Sequence, residues 1–448
     1  MRLLTWPAAA LALLWAAVPA AAQSGTLEER VRKLEMSMEE KGGMPEAGST
    51  SSSGNRVDVW FDDGLRFKSG DGNFEGRLGA HAIIHYTWNP YRNEGDGKID
   101  GFSVREGAVD VFGRIMKAWE VYVRARVMPG GTDLYYGWAE FNKWDEIRLR
   151  AGVFRMPYSP ETMEDNRWMD MPERSLLSLT APGRDLGAMA HGSIAGGIFS
   201  YAVGVFNGNG TGGDYNSDKD GLVRLVLRPG AKCETDALKH LYIGGGVTRG
   251  EARSRDVTNT GPIELRAPGT GTQFHQSTAT MDIEADENIF RAGVDVMYMV
   301  GPIEFKSEYS FYKAGLEDAT GDDFNFRAHA WYAQLGFWIG GSRSPNQRPV
   351  VDKPLFGEKC GFGAIQFVGR FSQIRMNDVL EEKAGWVGSR GAKEYAVAVN
   401  WYPCAFARIS LMYVRYEYEN QDTRLVPLAN GHSTNDEDAV ILRAQVDF

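Results

Sequence analysis

Arginine recurs at alternate positions in several stretches of this chain. Arg124 and Arg126 flank one alanine in AWEVYVRARV, Arg148 and Arg150 flank Leu149 in EIRLRAGV, and VRLVLRP carries Arg224 and Arg228. Residues two apart on an extended strand share a face, so each pair projects to one side. Arg77 keeps the same spacing with Glu75, His81 and His85, and Arg291 with Asp295. Lys306 keeps it with Glu304 and Glu308, Arg443 with Asp447, and Arg370 lies in a further alternating stretch. Guanidinium is permanently charged and binds oxyanions through paired donors, so these faces offer a succession of weak anion sites. Acids on the same faces, Asp110 and Glu120 among them, neutralise part of that field. The competing reading is a wall of mixed charges that pair with one another and merely keep a lumen hydrated.

The other faces of the same stretches are apolar. In AVILRAQVDF, Val440, Leu442, Ala444, Val446 and Phe448 alternate with Ile441, Arg443, Gln445 and Asp447. In NFEGRLGAHAIIHYTW, Phe74, Leu78, Ala80, Ala82, Ile84 and Tyr86 oppose the charged set. The alternation starts near residues 73, 102, 118, 132, 146, 185, 197, 219, 239, 289, 303, 324, 361, 391, 405 and 436. Connections alternate between short ones, such as Met116-Lys117, Ala195-Gly196 and Gly301-Pro302, and long ones, such as 155–184 and 249–288. Two break the rule: 341–360 is long on the short side, and Met128 to Gly131 is tight on the long side. An even strand number with short turns at one rim and long loops at the other predicts an all-β fold, a sixteen-stranded antiparallel transmembrane β-barrel. A soluble sandwich would alternate too, with its apolar face inward. Here Tyr86, Trp88, Trp119, Phe305, Phe311, Tyr395, Trp401 and Phe448 fall on the apolar face near strand ends. That placement suits the two interfacial girdles of a bilayer, so the apolar face is expected to meet lipid.

Composition is consistent with this. After residue 22 no run of 18 apolar residues occurs among the 448, which excludes helical spans, while a mean hydropathy of -0.35 is no argument against a barrel whose strands alternate. A net charge of -10 argues against nucleic-acid binding. Cys233, Cys360 and Cys404 lack metal-ligand spacing and could form at most one pair. Residues 1–22, with Arg2, an apolar run and Ala20-Ala21-Ala22, read as a signal peptide. Residues 23–54 read as a short coiled-coil helix, with Leu27, Val31, Leu34 and Met38 at 4-3-4 spacing, followed by a Gly/Ser linker. The barrel then takes residues 55–448.

A barrel of this size is open unless a loop folds into it. The candidate is RMPYSPETMEDNRWMDMPERSLLSLTAPGR, residues 155–184, too hydrophobic for a solvated tip. It brings Arg155, Tyr158, Arg167, Arg174 and Arg184, together with Trp168, Glu161, Glu164, Asp165, Asp170 and Glu173. Other patterns carry less. GDYNSDKDG puts Asp214, Asn216, Asp218 and Asp220 at calcium-loop spacing, but Lys219 stands where that loop needs glycine, which leaves a solvated acidic loop, able in an outer leaflet to bridge lipopolysaccharide through divalent ions. His81 and His85 lack the glutamate of a helical zinc site, and FNGNGTGG follows no parallel-sheet pattern. No serine elbow or cysteine-nucleophile signature occurs, and no cofactor or metal is implied.

The run PERSLLSLTAPGRDLGAMAHGSIAGGIFSYAVGVFNGNG resembles the phosphate-selective porin O and P family of Gram-negative outer membranes, through its E-R-S-L, P-G-R-D-x-G and Y-x-x-G-V-F-N-G-N-G motifs. FDDGLRFKSGDGNFEGRLGAHAIIHY and AVAVNWYPCAFARISLMY resemble further blocks of that family. The resemblance implies a trimeric sixteen-stranded porin in the outer membrane, against lipid and lipopolysaccharide. Its inward loop would match Glu173-Arg174-Ser175-Leu176 and Arg184-Asp185. It also implies a constriction with clustered lysines and arginines, whereas residues 155–184 contain no lysine. The function expected is passive diffusion of small hydrophilic solutes with a preference for anions such as phosphate. A non-selective diffusion channel and a structural anchor tethered through the N-terminal coiled coil are the alternatives.

Overall fold

The computed structural model describes residues 56–89, 100–208, 210–211, 218–233, 236–251, 264–277, 288–317, 323–356, 361–376, 386–419 and 435–448. The signal peptide, the coiled-coil segment, Cys360 and half of the acidic 214–220 motif lie outside the described residues. Sixteen long strands form one antiparallel sheet. They are β1 (Phe74–Trp88), β2 (Gly101–Ile115), β3 (Trp119–Met128), β4 (Gly131–Phe141), β5 (Arg148–Arg155) and β6 (Arg184–Ile194). Next come β7 (Phe199–Phe206), β8 (Asp220–Leu227), β9 (Leu241–Glu251), β10 (Asn288–Val300) and β11 (Ile303–Glu317). The sheet ends with β12 (Asp323–Ile339), β13 (Ala364–Met376), β14 (Gly391–Cys404), β15 (Ala407–Glu419) and β16 (Asp436–Asp447). Each starts within three residues of the position read from the alternation.

Each strand pairs with its sequence neighbour, and β16 pairs back onto β1 from Val440↔Trp88 to Asp447↔His81. The sheet is therefore closed and presents no open edge along that seam. β1 runs past the end of β16, and Phe448 exchanges 2.9 Å backbone hydrogen bonds with Ala80 there. Below that point a hairpin of Val57–Phe61 and Leu65–Ser69 pairs with Glu75 to Leu78 and completes the seam. Its Phe61 ring stands 6.3 Å from both Phe406 and Phe448. Tight turns such as Met116-Lys117 (φ 51° and 57°) and Ala195-Gly196 (φ 56° and 68°) have both central residues in the left-handed region, whose twist matches that of the flanking strands.

The faces are sorted opposite to those of a soluble protein. Leu335, Val397 and Leu411 are 58%, 57% and 52% exposed, while Glu106, Arg408 and Arg443 are at or below 1%. A bilayer reconciles both facts, since the exposed ring of aliphatics needs a hydrocarbon solvent and the enclosed charges need one another. Trp88, Trp119, Tyr395 and Phe448 point outward, as the girdle reading requires. Leu411 lies opposite Val399 and Leu442 on its neighbouring strands. Leu411→Arg should therefore destabilise the folded barrel by about 2–4 kcal/mol, measured as the shift in reversible urea unfolding from lipid vesicles.

Candidate functional site: the occluded lumen

The connection 155–184 lies inside the barrel. It starts with a short helix, α1 (Pro160–Met163), capped by Ser159, and ends with a 3-10 turn at Leu176–Leu179 capped by Ser175. Its apolar side chains explain which way it leans. Met171, Leu176 and Leu177 are at most 1% exposed and pack on an inner wall of small or apolar residues from β11 to β16, including Ala328, Ala330, Ala396, Ala398 and Ile441. Burying each such chain favours this placement by about 1.5–3 kcal/mol. The wall from β11 to β16 thus carries an apolar patch among its polar inward side chains.

Ionic latches fix the rest of the loop. Asp170 accepts four hydrogen bonds: from Lys306 Nζ (2.6 Å) and Gln334 (2.7 Å) on one oxygen, and from Arg343 Nη2 (2.5 Å) and Gln366 (2.8 Å) on the other. Glu308 accepts from the Ser159 hydroxyl (2.5 Å), the Glu161 amide (2.7 Å) and the Tyr332 hydroxyl (2.8 Å). Glu161 in turn takes the Ser175 amide and hydroxyl at 2.7 Å, tying the two ends of the loop together. Tyr158 reaches Ser310 Oγ at 2.8 Å, and its close approach depends on glycine: a Cβ at Gly246 or Gly293 would lie 2.9–3.2 Å from its nearest atoms.

Inward side chains of β13 to β16 satisfy the loop backbone. Arg443 donates to the carbonyls of Asn166 and Pro172 (both 3.1 Å), Gln445 to that of Arg167 (2.9 Å), and Arg370 to that of Glu173 (3.0 Å). Arg408 serves Met169 and Asp170, the latter also held by Asn400 at 2.8 Å. Two further segments enter the lumen. The turn between Glu264–Arg266 and Gln273–Ser277 buries Leu265, Ala267 and Phe274 beside the loop, with the Gly269 amide donating to Tyr416 at 3.0 Å. The long connection 341–360, the exception on the short-turn side, sends Arg343 to Asp170 and Glu164 and Asn346 to the Asp165 amide (3.0 Å). Its Arg348 bridges Asp63 of the N-terminal hairpin and Asp447 (2.6 Å). Sequence reasoning missed Arg343, Asn346 and the 264–277 turn as lumen elements. The length of 341–360 was the available signal.

Beside the loop, against the wall from β3 to β8, lies a cavity of about 600 Å³. Arg77, Arg148, Arg150, Arg155, Arg167 and Arg224 line it, against a single carboxylate, Asp165. Their counter-charges do not line it: Glu140 on Arg150 (2.6 Å), Asp110 on Arg167 (3.2 Å), and Asp295 on Arg224 (2.8 Å). Asp63 pairs with Arg77 and Asp145 with Arg148 (2.5 Å), nearer the short-turn rim. Arg155 donates to the hydroxyls of Tyr136 (2.7 Å) and Tyr135 (3.0 Å).

The other arginines singled out in the sequence lie elsewhere. Arg124, 1% exposed, is locked to Asp110 (2.5 Å) and Asp165 (2.7 Å), and Arg370 to Glu394 (2.7 Å). Arg126 forms a fork with Asp133 (2.8 Å twice), and Arg184 stacks on Tyr135 at 3.7 Å. Arg174 holds Asn166 Oδ1 (2.8 Å) and the Glu164 carbonyl (2.9 Å) within the loop. Arg228 and Arg291 lie over Tyr242 and Tyr312. Among the described residues no cluster of His, Cys, Asp and Glu fits a metal, and Cys233 and Cys404 are free thiols.

A closed sixteen-stranded barrel with an apolar exterior and a loop folded into a charged lumen is the architecture of an outer-membrane porin. This chain belongs to the family described as "Phosphate-selective porin O and P", which it matches over residues 84–448. It is 21% identical over 431 residues to Porin O of Pseudomonas aeruginosa, covering 90% of this chain and 95% of that protein. Its fold is similar to that of OmpT of Vibrio cholerae (TM-score 0.52, 9% identity, 87% of this chain and all of that one). The anion-selective porin from Comamonas acidovorans is similar as well (TM-score 0.51, 9% identity, 84% of this chain and all of that one).

Two outcomes follow from the latches. Asp170→Ala leaves buried Lys306 and Arg343 to share Glu164 alone (3.3 and 3.2 Å), a loss of up to about 3–5 kcal/mol. It should release the loop and raise single-channel conductance in a planar bilayer. Burial alone would raise the carboxyls of Asp165 and Asp170, but Arg124 and Arg167 hold the first well below its ordinary value, and Arg343 and Lys306 hold the second. Their contribution is therefore complete above the ordinary carboxylate value and is lost as pH falls through the depressed one. Conductance should stay level from neutral pH down to about 4 and rise only below that, as a pH series of single-channel recordings would show.

Proposed function

We propose that this porin passes small anions, phosphate among them, by diffusion through the cavity beside the folded loop. One observation carries the reading: six guanidiniums and one carboxylate face the open passage, while the paired acids are withdrawn behind it. A low-dielectric wall focuses that local charge whatever the sign of the whole molecule's. Because all of these guanidiniums but Arg155 already share their charge with an acid, they replace only part of an anion's hydration, which keeps the sites weak enough for release. The pore-lining set is Arg77, Arg148, Arg150, Arg155, Arg167 and Arg224, with Arg126, Arg184, Arg228 and Arg291 contributing further charge within the lumen. Arg124, Arg174 and Arg370 act through the loop they hold. The description of the family supports anion passage.

In the same reading residues 1–22 direct export, 23–54 form the coiled coil and linker, and 55–448 form the barrel. The barrel associates as a homotrimer, in contact with lipid and lipopolysaccharide. Reversal potential under a salt gradient in a planar bilayer tests the central point. The wild-type chain should show the anion-favouring sign, and Arg77→Glu with Arg148→Glu should move the potential toward the cation side. A cation-favouring sign in the wild type would overturn the reading.

A further inference from the structure

We infer that the cavity favours organic anions with a flat apolar body over inorganic oxyanions, an inference that rests on the anion reading above. The space is the first reason. At about 30 Å³ for each water-sized group, 600 Å³ holds some twenty of them, far more than a tetrahedral oxyanion fills, and the volume falls within the range of small-molecule sites. The wall is the second. Besides its arginines the cavity is lined by Tyr122, Tyr136, Trp138, Phe154, Trp168 and Tyr201, and no lysine contributes. A passage built for hydrated inorganic ions has no use for six aromatic rings.

The two sets are built into one another. The Arg150 guanidinium lies 4.1 Å from the Trp138 ring and 5.6 Å from Phe154, and Arg167 lies 4.8 Å from Trp168. A guanidinium stacked in this way is weakly hydrated and still presents N–H edges to an oxyanion, while the aromatic surface beside it accepts a ring. Tyr122 stands beside the same indole, ring centroids 5.6 Å apart, which extends the aromatic surface next to Arg150. Arginine for the charged end and ring faces for the body match the usual make-up of a small-molecule site, in which a mainly apolar lining carries a few placed polar groups.

The test uses the full chain in planar bilayers, with chloride current read while phenyl phosphate or inorganic phosphate is added. Phenyl phosphate should halve the current at about one-tenth the concentration of inorganic phosphate. Trp138→Leu should shrink that ratio to about two. Equal half-blocking concentrations in the wild type would overturn the inference, and that arm needs no variant to fold. A cation-favouring reversal potential, with neither phosphate blocking, would instead mark failure of the anion reading itself.

Discussion

A thirty-residue irregular backbone cannot sit inside a membrane barrel unless its amides and carbonyls find partners, and this requirement organises the lumen. Six carbonyls between Asn166 and Glu173 are met by side chains that rise from β13 to β16: Arg370, Asn400, Arg408, Arg443 and Gln445. Arginine suits the task because one planar group carries five donors and remains charged wherever it is placed. Arg443 alone spans two carbonyls six residues apart. Much of the inward arginine therefore serves the loop and not the solute.

The division of labour follows from which wall the loop chooses. Its Met171, Leu176 and Leu177 settle on the alanine-rich inner face of β12, β14 and β16, where small side chains leave room for a second layer. That half of the cylinder becomes a protein core. The other side, from β3 to β8, keeps the cavity with its arginines and aromatics. An apolar preference of one loop face thus places the passage off the barrel axis. Asp170 sets the depth of the loop, gathering Lys306 from β11, Gln334 from β12, Gln366 from β13 and Arg343 from the opposite rim onto one carboxylate.

The strands were legible in the sequence because their signal is local and repeated. Period two with apolar residues on one face survives every change of register, and Leu442 against Arg443 reads the same whichever strands lie beside them. The inward loop was legible for a similar reason, since Met171, Leu176 and Leu177 make no sense on a solvated tip. The role of each arginine was not. Arg124 and Arg150 share the same alternating pattern, yet one is sealed between Asp110 and Asp165 and the other lies open on Trp138. What separates them is a neighbour from across the barrel, and spacing along one strand carries no record of that. Arg343 was hidden by a rule: short connections belong to one rim, so a long one there stood out by length, with nothing local to say that it turns inward.

Local pairing also reconciles an acidic protein with a basic passage. The chain carries -10 overall, yet a solute in the cavity senses the few charges within roughly a Debye length, about 8 Å at physiological salt. There the guanidiniums of Arg150, Arg167 and Arg224 line the cavity, while their partners Glu140, Asp110 and Asp295 do not. Each ion pair is a dipole with its positive end toward the water, and a ring of such dipoles attracts anions without a net charge on the wall. Removing the acids would strengthen that field but leave buried arginines unpaired, at a cost of several kcal/mol each. Pairing Arg150, Arg167 and Arg224 each with a buried acid keeps the barrel stable and the anion sites shallow, and a channel that must release what it binds needs both.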